Sequence, residues 1–144
     1  MKKLTSIVTA AAATGMALFV PAAAHASTTA PHCTAVRPTS DFYAGGRIAT
    51  TPITDDNARC RTISVSGIRD VADPADNCQT FLVALLSADG RDPTYTEPVQ
   101  ACSPTPGVRT VLATGVPTGT QYRVLYQVDY IDPQPQQVRF TVWH

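Results

Sequence analysis

An all-β antiparallel sandwich of six or seven strands, stapled by two disulfides, is the fold this sequence predicts. Three observations point to it. Short segments alternate apolar and polar residues with a period of two, as in Thr62-Ile63-Ser64-Val65-Ser66, the mark of a strand with one buried face. Between them lie turn formers such as Asp73-Pro74, Asp89-Gly90, Pro104-Thr105-Pro106-Gly107 and Pro117-Thr118-Gly119, and no apolar period of 3.6 appears after residue 26. Cys33, Cys60, Cys78 and Cys102 make an even count in a chain with the marks of export, which implies two bridges.

Those marks stand at the start of the chain. Lys2 and Lys3 precede a mostly apolar run from Ile7 to Val20, and Ala24-His25-Ala26 places small residues where a signal peptidase reads them. Residues 1–26 are therefore expected to be a secretory signal, since a membrane span needs roughly 20 apolar residues. Cleavage before Ser27 leaves 118 of the 144 residues, one domain by length, and an extracellular location. That mature part carries nine arginines, no lysine and eleven acids, a formal net charge of −2. Such a balance is wrong for a polyanion partner, which argues against nucleic acid and anionic membrane surfaces.

Residues 27–59 are weakly patterned, broken by Pro31, Pro38, Pro52 and Gly45-Gly46. They read as an N-terminal segment with short edge strands at Phe42-Tyr43 and Arg47–Thr51, with a bulge expected at the glycines. The sandwich core is expected over 60–144. Gln79–Ser87 is apolar on both parities, as a central strand or one with an interaction face would be. Folding it as a hairpin about Gly90 onto Thr94–Ala101 pairs residues whose numbers sum to 180. Phe81 then meets Val99, Leu85 meets Tyr95, and Cys78 falls opposite Cys102. Opposed Cβ atoms lie about 4.5–5.5 Å apart, close to what a disulfide tolerates. The register favours Cys78–Cys102 and leaves Cys33–Cys60. Each bridge would contribute about 3 kcal/mol in the chain-entropy picture. Pro98 marks the second arm as an edge.

Val108–Ala113 is a further short strand. In Tyr122–Tyr130 the even residues Tyr122, Val124, Tyr126, Val128 and Tyr130 form one apolar stripe. In the last strand, Val138–Trp143, the even residues are again apolar. These two strands are expected to pair, Val128 with Phe140 and Arg139 with Asp129.

The residues Val116, Gly119, Thr120 and Tyr122, followed by alternating apolar positions, resemble the corner before the sixth strand of fibronectin type III and related immunoglobulin-like domains. The resemblance implies an immunoglobulin-like sandwich in which the Tyr122 hydroxyl bonds back to backbone just upstream. It also places strands Gln79–Ser87, Tyr122–Tyr130 and Val138–Trp143 in one sheet. Pro117 lies one position early for the family, no early tryptophan is present, and the strand Tyr122–Tyr130 has no cysteine.

No catalytic constellation is legible. The mature chain has only His32 and His144, no Gly-x-Ser-x-Gly elbow and a single glutamate, Glu97, so neither an enzyme nor a cofactor is expected. Asp70, Asp73 and Asp76 with Asn77 offer a weak Ca²⁺ candidate, with Asp129 and Asp132 on the loop that would face them; turn formation in a solvated loop is the simpler reading. The other candidate is a surface. If even residues point inward, Leu82, Leu86, Leu125 and Trp143 point outward, bordered by Arg123 and Arg139. That patch would bind an extracellular protein or a polysaccharide, or pair two copies as a homodimer, unless residues 27–59 cover it. The rival expectation is a secreted hydrolase inhibitor presenting Arg91 from the loop Ala88–Pro93 within the Cys78–Cys102 bridge.

Overall fold

The computed structural model describes residues 32–128 and 137–144. The predicted signal and the residues Asp129 and Asp132 lie outside the described part. Eleven strands and no helix occur among the described residues: β1 (Ala35–Val36), β2 (Ser40–Tyr43), β3 (Arg47–Thr50), β4 (Ile53–Thr54), β5 (Thr62–Asp70), β6 (Cys78–Leu85), β7 (Thr94–Tyr95), β8 (Val99–Cys102), β9 (Thr110–Thr114), β10 (Gln121–Gln127) and β11 (Val138–Trp143). They form two antiparallel sheets. One has the order β1-β11-β5-β9. The other has the order β2-β3-β10-β6-β7, with β4 also on β10 and β8 also on β6. The bridges are Cys33–Cys60 and Cys78–Cys102, and the pair suits an oxidising compartment.

The core lies between the sheets and is built from the parities that alternation selects. Tyr122, Val124 and Tyr126 of β10 and Phe81 and Val83 of β6 come from one side. Ile63 and Val65 of β5 and Val138, Phe140 and Val142 of β11 come from the other.

The expected pairing of β10 with β11 is corrected. β11 lies in the other sheet, against β5, with Val142 opposite Val65 and Arg139 opposite Arg69. Alternation sets which face of a strand is buried but not which neighbour it joins, and both placements bury the same even residues. The place beside β10 goes instead to β3, with Ala49 opposite Leu125 and Ile48 opposite Tyr126. β11 therefore leaves the sheet in which the resemblance places it, and β3 stands there beside β10. A bulge fits β11 to β5: Arg139 pairs with Arg69 and Thr141 with Ser66, so Gly67 and Ile68 together face Phe140. Gly67 has φ 62° there, which a side chain would strain.

Residues 40–54 are consequently part of the sandwich and not an edge appended to it. Ile48, Ala49 and Thr50 are buried. Pro52 cannot donate to a ladder and splits this stretch into β3 and β4, both of which pair with β10. At the break the Thr50 hydroxyl accepts the Val124 N–H at 3.1 Å, keeping the ladder satisfied.

The β6 hairpin follows the expected register only in part. Cys78 faces Cys102 and Phe81 faces Val99 as expected, but Tyr95 faces Ala84, where Leu85 was expected. The second arm holds one extra residue around Glu97-Pro98, because Pro98 breaks the ladder. Thr96 bridges the gap: its N–H donates to the Val83 carbonyl at 2.9 Å, and its hydroxyl accepts the Val83 N–H at 2.9 Å. A slip of one residue turns a side chain to the opposite face, so Tyr95 points away from the core.

Candidate functional site

That slip decides what becomes of the outer face of the larger sheet. In register across it run Ala49, Leu125 and Leu82, and beside them Arg123, Ala84 and Tyr95. Leu125 is 0% exposed. With Ala49 and Ala84 it forms a second, small apolar cluster against which Tyr43 and Leu82 pack. Tyr43 of β2 and Tyr95 of β7 come from the two ends of the sheet. Interaction with the Tyr43 hydroxyl first, and then desolvation, raise the Tyr95 hydroxyl above its ordinary pKa. Arg47 lies 5.8 Å from the Tyr95 ring centroid and Arg123 5.8 Å from that of Tyr43, each contact worth about 0.5–1 kcal/mol. Arg123 also donates to the Thr50 carbonyl at 2.9 Å.

The six predicted patch residues do not come together. Leu82, Leu125 and Arg123 belong to the larger sheet, and Leu86 lies just past the end of β6, its N–H on the Gln121 carbonyl. Arg139 and Trp143 belong to the smaller sheet. Trp143 donates through Nε1 to the Ser66 hydroxyl at 2.8 Å and lies under Arg109, whose guanidinium carbon is 3.2 Å from the ring centroid. Burial lowers the Arg109 pKa.

The aspartates of the 70–77 loop are occupied as turn formers. Asp70 accepts the N–H groups of Ala72 and Asp73, Asp73 that of Ala75, and Asp76 that of Cys78. Among the described residues no group of three His, Cys, Asp or Glu gathers to hold a metal.

Two features were invisible in the sequence. The first is a buried polar cluster at the chain's end. Asp55 is 0% exposed, and its Oδ1 is 3.7 Å from His144 Nδ1. The Tyr122 ring meets the His144 ring edge-on at 5.9 Å between centroids. Asp55 Oδ2, His144 Nδ1 and the Tyr122 hydroxyl have no hydrogen-bond partner. Tyr122 therefore does not make the corner bond that the resemblance implies. The corner is fastened by main chain instead: Asp55 N–H to the Thr120 carbonyl, and Gly119 N–H to the Asp55 carbonyl.

The second feature is a groove of about 500 Å³ on the open side of the sandwich, within the usual range for ligand sites. Phe42, Ile48, Tyr126 and Phe81 form one row across the inner face of the larger sheet. Phe81 and Tyr126 close against Phe140 of the opposite sheet, with ring centroids 4.9 and 6.0 Å away. Beyond that contact the sheets part, and Phe42 on the edge strand is left 71% exposed. Ile48, Tyr126, Val138 and Phe140 make the floor, while Phe42, Val71, Arg37 and Arg139 stand at the lips. The Tyr126 hydroxyl accepts the Val138 N–H at 3.3 Å. Burial first, opposed by that bond, raises its pKa.

The chain matches no family model, no curated protein and no solved structure. Function has to be read from the groove itself. Neither described histidine lines it, and no cysteine does. The lining combines the apolar Ile48, Val138 and Phe140 with Thr39, Ser40, Asp41 and Gln137 and the two arginines. The sequence signal for it was slight: a lone Phe42 in a segment with no alternating partners.

Proposed function

We propose that this chain is an exported, disulfide-stabilised binding domain without catalytic activity, and that it holds an apolar group of its ligand in the groove beside Phe42. The observation that carries the reading is a large aromatic side chain left 71% exposed at the lip of an apolar-floored cavity. One exposed apolar residue is ordinary by itself; here it adjoins a concave apolar floor, and covering it there would bury apolar surface on both. Export is supported by the basic, apolar and small-residue regions of residues 1–26 and by the two disulfides. An extracellular protein is a natural partner for such a lip. A polysaccharide fits the floor less well, since its hydroxyls would find no partners there. Kinship with the immunoglobulin-like superfamily is part of the proposal at the level of fold. The β5–β9 and β6–β10 pairings support it, and the place of β11 beside β5 instead of in the sheet of β10 counts against it.

The neutral fluorophore N-phenyl-1-naphthylamine tests the groove. Its emission should rise saturably with the oxidised mature protein at one site per chain. Phe42→Ser, on an exposed edge, should weaken binding about tenfold, the loss of part of an aromatic's transfer free energy. No saturable signal, or one indifferent to Phe42, would dismiss the groove as the binding surface.

A second reading has its own observation. The loop carrying Arg91 is internally braced: Ser87 donates to Asp89 at 2.6 Å, Asp89 accepts the Arg91 N–H at 3.2 Å, and Gly90 N–H meets the Ser87 carbonyl at 2.8 Å. The Ser87 hydroxyl is the main cause of the lowered Asp89 pKa. An exposed arginine on a braced loop is how a protease inhibitor would present itself. Inhibition of trypsin that vanishes in Arg91→Ala would establish this reading, and an uninhibited trypsin assay would remove it.

A further inference from the structure

The groove's lining points to a class of ligand. Resting on the reading above, we propose that it holds a single-chain amphiphile with an anionic carboxylate head, its tail along the floor and its head between Arg37 and Arg139.

The floor argues for the tail. Ile48, Val138 and Phe140 present no polar side-chain atoms; besides the charged groups, the polar side chains of the lining are Thr39, Ser40, Gln137 and Tyr126, whose hydroxyl accepts the Val138 N–H and keeps its own hydrogen to donate. Against the three apolar side chains a polar ligand segment would be desolvated without compensation, whereas a hydrocarbon segment gains about 0.8 kcal/mol per buried CH₂. The cavity is concave and some 500 Å³, a small-molecule dimension. A stable protein partner would instead occupy about 800 Å² of this surface.

The lips argue for the head. Arg37 and Arg139 are both exposed and both line the groove. Among the described residues, neither has an ion-pair or hydrogen-bond partner. The one acid in the lining, Asp41, points one carboxylate oxygen at its neighbour's main chain, accepting the Phe42 N–H at 2.7 Å. Two cations against one partly engaged acid leave the mouth positive. Two guanidinium forks at the mouth of an apolar slot match a carboxylate on a chain, through charge-assisted and bidentate bonds that a cationic or neutral head cannot make. Phe42 would then fold over the tail, which gives its exposure a purpose.

Competition against bound N-phenyl-1-naphthylamine tests the inference, using decanoate, decyltrimethylammonium and decyl glucoside below their micelle concentrations. Decanoate should displace the fluorophore at concentrations at least tenfold lower than the other two. The double variant Arg37→Glu, Arg139→Glu should erase that preference, read as the ratio of the three displacement concentrations measured on the same variant. Equal displacement by all three heads, or a preference that survives the double variant, overturns the ligand class and leaves the groove standing. Failure of the wild-type protein to bind the fluorophore overturns both readings. If binding appears only when residues 129–136 are replaced by a glycine-serine linker, the chain itself is the occupant, and the proposal falls.

Discussion

Phe81→Ala should cost about 3–5 kcal/mol of folding stability, a substantial share of what a small domain possesses. Phe81 is fully buried at the middle of β6, and its ring meets Phe140 across the sandwich at 4.9 Å and Tyr126, its neighbour in the same sheet, at 6.1 Å. Removing it leaves a cavity beneath the point where the sheets close, and the neighbouring strands are held too tightly to collapse into it. On one side β10 pairs with β6 over five residues, and on the other β8 is fastened through Cys78–Cys102. Urea titration with both disulfides intact is the measurement. Phe81→Leu, which keeps most of the volume, should cost under about 1.5 kcal/mol. A loss below 1 kcal/mol for the alanine variant would mean that the sheets do not meet at this residue.

The fold was legible wherever one local rule was enough. Alternation identified β5, β10 and β11 and the inward parity of each, while β6, apolar on both parities, took its register from the hairpin; the opposition of Cys78 and Cys102 held because it lies next to well-paired residues. It failed where a choice was non-local. β11 buries Val138, Phe140 and Val142 equally well in either sheet, so its partner could not be deduced from its own residues. β3, only four residues long, has a polar residue in its buried stretch. Thr50 is buried because its hydroxyl takes over the Val124 N–H, which composition does not advertise. The outer patch failed for a different reason. One extra residue near Pro98 turned Tyr95 outward beside Ala84, and Leu125 is buried under Tyr43 and Leu82. The groove was the least legible feature, because it exists only where the sheets part beyond the Phe81–Phe140 contact. No sequence pattern records where two sheets diverge.

Asp55→Ala should destabilise the domain by about 3 kcal/mol, although it removes no backbone bond at the corner. The carboxylate is out of reach of water, accepts the Asn57 N–H at 3.1 Å and lies 3.7 Å from the ring nitrogen of the buried His144. Deleting it leaves the Asn57 N–H without its acceptor and opens a cavity beside the buried imidazole, and the two losses act together. Tyr122→Phe behaves oppositely. Its hydroxyl is buried without a hydrogen-bond partner, so at neutral pH the phenylalanine variant should be as stable as wild type or slightly more so. A corner tyrosine bonded to backbone would instead lose stability, which makes this variant a direct test of the resemblance. The two residues also meet in the pH profile. Burial first, and then the Asp55 charge, raise the Tyr122 pKa well above the ordinary value of 10.0. Above pH 10 the unfolded chain therefore releases a proton that the folded chain retains, and stability must fall as pH rises. The raised Tyr126 and Tyr95 act in the same sense. Urea midpoints measured from pH 8 to 11 should decline on the alkaline side, and Tyr122→Phe should remove the largest part of that decline. Asp55→Asn, which keeps the shape and removes the charge, should remove a smaller part. An alkaline limb unchanged in Tyr122→Phe would assign the effect to the other tyrosines and uncouple Asp55 from it.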